Sequence, residues 1–72
     1  MSKILTSGVV QDLRKGLRLL KCTGRLEKGG LVLRQQVYMN VAAAKGPRWM
    51  QEHKDELRNE LDQVVEGVRN EA

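Results

Sequence analysis

Seventy-two residues, 40% of them hydrophobic and with a formal net charge of +4, allow one small domain, residues 1–72, whose core buries about 60% of the surface the unfolded chain exposes. One cysteine, Cys22, and one histidine, His53, exclude an intrachain disulfide and leave too few ligands for a structural zinc site. The longest apolar runs are tetrapeptides such as VAAA, far short of the roughly 20 residues that a bilayer span requires.

The first predicted element is a helix from about Ser7 to Thr23. Val9, Val10, Leu13, Leu17 and Leu20 fall on one arc at helical spacing and predict the face turned to the core. Arg14, Arg18, Lys21 and, if the helix continues that far, Arg25 fall on a neighbouring arc. Thr6 or Ser7 can cap its start, and Gly24 can take the left-handed conformation at its end. Gly16 inside it costs about 1 kcal/mol relative to alanine, so this helix depends on packing.

The middle segment has two readings. At period two, Leu31, Leu33, Val37, Met39 and Val41 share a face, as in a strand, and Gly29-Gly30 then mark the turn of a central β-hairpin in an α+β fold. At helical period, Leu33, Val37, Val41 and Ala44 form a row that runs into a stop at Gly46. The helical reading is favoured, with Gly29-Gly30 and Gly46-Pro47 as the breaks between elements.

The last element opens with Pro47 at a helix's first position. It continues with Met50, Leu57, Leu61, Val64 and Val68 on one apolar stripe. Glu52, Asp55 and Glu56 occupy its early turns, where the helix dipole favours negative charge. The carboxylates Asp55, Glu56, Glu60 and Asp62, set among Lys54 and Arg58, read as a solvated face. The expected fold class is all-α, a three-helix arrangement.

Charge is divided along the chain. Residues 1–46 hold nine basic side chains against two acids, a net +7, and residues 47–72 hold four against seven, a net −3. The stretch LRKGLRLLKCTGR carries five basic residues and no acid. Like charges on one helical arc repel by a few tenths of a kcal/mol per pair, which suggests that the stripe meets something acidic. Two classes of partner fit, an acidic protein surface and, as the alternative, DNA or RNA, whose phosphates release counterions when neutralised. Tyr38 and Trp49 are the only aromatic residues; they suit either the core or an interface hot spot. Chains this short commonly need a partner surface, which predicts part of a complex or a homo-oligomer.

No nucleophile and base can be assembled around the single His53, which sits near the apolar stripe. GRLEKGG lacks the G-x-x-x-x-G-K-[ST] order of a phosphate-binding loop. The expectation is a non-enzymatic protein without cofactor or metal. The opening MSKILTSG lacks the apolar stretch of a signal peptide, and the lone cysteine suits a reducing, intracellular setting. The Arg-rich, acid-poor segment that follows also suits a mitochondrial address.

Asp12-Leu13-Arg14-Lys15-Gly16-Leu17-Arg18 resembles the opening of mitochondrial LYR-motif proteins, with Leu13 where the motif has Tyr and Asp12 where it has its first Leu. Leu33-Arg34-Gln35-Gln36-Val37-Tyr38 falls near that family's second, Arg-rich helix, without its Phe, and RWMQEHKDELRNELDQVV stands in the place of the third. The resemblance implies a three-helix protein of the mitochondrial matrix that docks on acidic acyl carrier protein and assembles, or belongs to, a larger complex. Arg14 would be the motif arginine, and Arg18, Lys21 and Arg34 would contact carboxylates or phosphopantetheine.

Overall fold

Three helices make up the architecture in the computed structural model, which describes residues 4–71: α1 (Ser7–Cys22), α2 (Leu26–Lys45) and α3 (Pro47–Arg69). Each packs against both others, and no strand occurs among the described residues. Met1, Ser2 and Lys3 of the MSKILTSG opening lie outside them. No helix among the described residues is long and apolar enough to cross a membrane.

Thr6 caps α1, its Oγ1 accepting from the Val9 N–H at 3.3 Å. The helix stops at Cys22 because Gly24 adopts φ 75° and the Arg25 N–H donates to the Leu20 carbonyl at 2.8 Å. At the second reversal Gly46 takes φ 90°, its N–H donating to the Ala42 carbonyl at 2.9 Å, and Pro47 starts α3.

The middle of the chain is α2, not a hairpin, and Gly29-Gly30 are not a turn. They lie in the first turns of α2, where α1 passes close. A Cβ at Gly29 would stand 2.7 Å from Leu20 Cδ2, and one at Gly16 would stand 2.9 Å from Leu33 Cδ1. The glycines' poor helix propensity is the cost of that close approach. The period-two row of apolar residues is split by the helix: Leu33, Val37 and Val41 turn inward, whereas Leu31 and Met39 are 63% and 58% exposed.

The core takes Leu13 and Leu17 from α1, Leu26 from α2, and Met50, Leu57, Leu61, Val64, Val65 and Val68 from α3. Val9, expected in the core stripe, is 38% exposed, whereas the adjacent Val10 packs against the core. Leu5 is buried ahead of α1 and is held there by Glu60, whose carboxylate accepts from the Ile4 N–H (2.8 and 3.0 Å) and the Leu5 N–H (3.0 Å). Glu60 therefore ties the amino-terminal segment to α3 and does not belong to a merely solvated face. Asp62 leaves that group as well, since it pairs with Arg34.

Candidate functional site

Arg14 and Arg18 lie one turn apart on α1, and Lys21 follows on the same side of the helix, toward the end of α3. Arg14 and Arg18 are exposed; Lys21 is half-buried. Arg18 grips Glu71 with two parallel bonds, Nε to Oε1 at 3.0 Å and Nη2 to Oε2 at 2.8 Å. Lys21 Nζ donates to the carbonyls of Val68 (2.9 Å), Arg69 (3.2 Å) and Glu71. Val68 and Arg69 close α3 and Glu71 follows it; the Val68 carbonyl also accepts from the Glu71 N–H at 3.2 Å, and the negative end of the helix dipole attracts a cation there. Lys21 thus caps the end of α3 from its place on the basic arc.

The Arg18–Glu71 pair is of a different kind. Its side chains are 54% and 40% exposed, and a pair so wet contributes little to stability. The hydrogen bond from Arg18 holds the Glu71 carboxyl below its ordinary range despite some desolvation, and the charges of Arg18, Lys21 and Arg14 act in the same direction. The same bond raises the Arg18 guanidinium further above its ordinary value. A depressed carboxyl keeps the pair ionised at neutral pH, and the pair is lost as pH falls through the folded-state value.

Arg25 does not extend the α1 arc. The helix has ended, and Arg25 stands at the N-cap position of α2, exposed at the reversal with Lys28 one turn further on. No ion pair forms at Arg14, Arg25 or Lys28 among the described residues, whereas the nearby Glu27 faces Arg69 at 3.4 Å.

The other three expected site residues lie elsewhere. Arg34 and Tyr38 face α3 across the α2–α3 groove, where they line a pocket of about 280 Å³ with Gln35 and Arg58. Arg34 Nε is 2.7 Å from Asp62 Oδ1, but its N–H is not aimed at the carboxylate, so the pair is ionic without being a hydrogen bond. Arg58 lies over the Tyr38 ring, 5.7 Å from its centroid. Trp49, at the start of α3, packs on His53 with ring centroids 4.6 Å apart and has Lys45 Nζ 5.5 Å from its centroid. The seven residues therefore do not form one surface. Arg14 and Arg18 lie on α1, Arg25 stands at the reversal into α2, Lys21 bonds to the end of α3, and Arg34, Tyr38 and Trp49 belong to α2–α3 contacts.

Glu71 is the member that sequence reasoning missed. Its position beyond the last helix, in an acidic tail that follows a basic opening, was the available signal. Comparison with protein-family models, curated proteins and solved structures finds no match for this chain.

Proposed function

We propose that the protein is a non-enzymatic adaptor that presents Arg14, Arg18 and Arg25 to an acidic protein surface. One observation carries this reading: Arg14 and Arg25 have no ion-pair partner among the described residues, and Arg18 holds only the exposed carboxylate of Glu71. That bidentate grip is the geometry in which a guanidinium recognises carboxylates. Because the pair is wet, a partner's carboxylate can replace Glu71 at little cost. The resemblance to LYR-motif proteins makes acyl carrier protein the first acidic partner to try, and the mitochondrial matrix the compartment in which to look.

The nucleic-acid reading is less well supported. Binding without base readout draws on exposed aromatic rings for stacking, and here Tyr38 is half-buried under Arg58 while Trp49 is half-buried against His53. The discriminating experiment titrates the protein with acyl carrier protein and with random duplex and single-stranded oligonucleotides across a salt series. Saturable binding to the acidic protein, with weak oligonucleotide binding, is expected. Micromolar oligonucleotide affinity with a steep salt slope would reverse the assignment.

A further inference from the structure

The groove between α2 and α3 holds a second cluster of basic side chains, separate from Arg14 and Arg18 of α1. Glu27 meets Arg69 at 3.4 Å, Arg34 meets Asp62 at 2.7 Å, and Arg58 lies 5.7 Å from the centre of the Tyr38 ring. These partners advance in equal steps along the two helices and in opposite directions. One antiparallel register therefore sets Arg34 and Tyr38 on one wall of the groove and Asp62 and Arg58 on the other. Between the walls lies the pocket of about 280 Å³ lined by Arg34, Gln35, Tyr38 and Arg58. Arg34 and Tyr38 are half-buried, whereas Gln35 and Arg58 are exposed, so the pocket opens to solvent.

The lining is rich in hydrogen-bond donors and short of acceptors. Each of its four side chains carries N–H or O–H groups, and the two guanidiniums carry no acceptor at all. None of the four donates a side-chain hydrogen bond to another described residue. Arg34 is 26% exposed, and its Nε–H is shut off from water without a hydrogen-bond partner. Asp62 offsets its charge from outside the lining, and Arg58 has no carboxylate within ion-pair distance among the described residues. Donors left unmet in a half-buried groove are costly, and a group made only of acceptors meets them. Two guanidinium forks on opposite walls suit a tetrahedral oxyanion better than a planar carboxylate, which offers its oxygen pair to one fork at a time. A phosphate monoester presents three terminal oxygens and close to two negative charges, against two positive charges in the lining. We infer that this pocket binds the phosphate monoester group of a small molecule. Arg34 and Arg58 take its charge, the Tyr38 hydroxyl and the Gln35 amide supply further donors, and the rest of the molecule extends into solvent. This site does not depend on the adaptor role of Arg14, Arg18 and Arg25.

Amide and arginine Nε–H chemical shifts of the isotope-labelled full chain test this, in titrations at constant ionic strength with inorganic phosphate, methyl phosphate and acetate. Methyl phosphate is expected to give saturable shifts at Arg34, Gln35, Tyr38 and Arg58, with an affinity near that of inorganic phosphate and about tenfold or more above that of acetate. Arg58→Gln should weaken methyl phosphate binding by about tenfold or more, since it removes a charged donor pair. Arg58 is exposed and unpaired, so this variant should keep the helicity of the wild type by circular dichroism. Lys15→Gln, on the exposed side of α1, should bind as the wild type does. Shifts that never saturate, acetate binding as tightly as methyl phosphate, shifts centred on Arg14 to Arg25, or undiminished binding by Arg58→Gln would each overturn the inference. Binding of inorganic phosphate alone, with methyl phosphate rejected, would overturn the monoester as ligand.

Discussion

Replacing Leu61 by alanine should destabilise the protein by about 2–5 kcal/mol, a large share of what a domain this small possesses. Leu61 has no exposed surface, and it lies in the middle of the α3 stripe between Leu57 and Val64, which pack in the same core. The substitution removes apolar atoms from a closely packed site and leaves a cavity that three short helices can only partly close. Leu31→Ala removes the same atoms from a side chain that is 63% exposed and should change stability by less than about 0.5 kcal/mol. Urea unfolding followed by circular dichroism, at one dilute protein concentration, measures both. Equal midpoints for Leu61→Ala and wild type would mean that α3 projects freely and that the three-helix packing is wrong.

Changing Arg14 and Arg18 together to glutamate should reduce capture of an acidic partner by more than about tenfold, because two attractive contacts become repulsive, while helicity stays nearly intact. Both side chains are exposed, so little of the core is disturbed. Glu71→Gln should act in the opposite sense. It frees Arg18 from its internal carboxylate and removes one negative charge beside the stripe, so affinity should rise severalfold. Surface plasmon resonance against immobilised acyl carrier protein reads all three. Undiminished binding by the double glutamate variant would reduce the basic stripe to a solvated face.

The last helix was legible in the sequence because its information is local. Pro47 marks its start, and Met50, Leu57, Leu61, Val64 and Val68 repeat at helical spacing; all five are buried. The first reversal was half legible: Gly24 takes its left-handed turn, but the Gly29-Gly30 pair reads as a break when only propensity is considered. At Gly29 the reason for a glycine inside the helix is Leu20, which packs where a Cβ would sit, and no local pattern reveals a neighbour on another helix. The same limit explains the site. Lys21 looks like another member of a basic arc until the end of α3 arrives beside it, 47 residues later in the chain. Glu60 looks solvated until the amides of Ile4 and Leu5 fold back onto it. Charge along the sequence indicated which half of the molecule is basic, whereas tertiary contact decided which cations are committed to the fold.

Amide chemical-shift mapping by nuclear magnetic resonance tests the docking surface most directly. The isotope-labelled chain is titrated with unlabelled acyl carrier protein, and the perturbed amides are placed on the structure. The proposal predicts shifts concentrated from Arg14 to Arg25 and at Glu71, weakening as salt is raised. Shifts centred on the Arg34–Tyr38 groove or on Trp49, or no shifts with this or other acidic proteins, would contradict it.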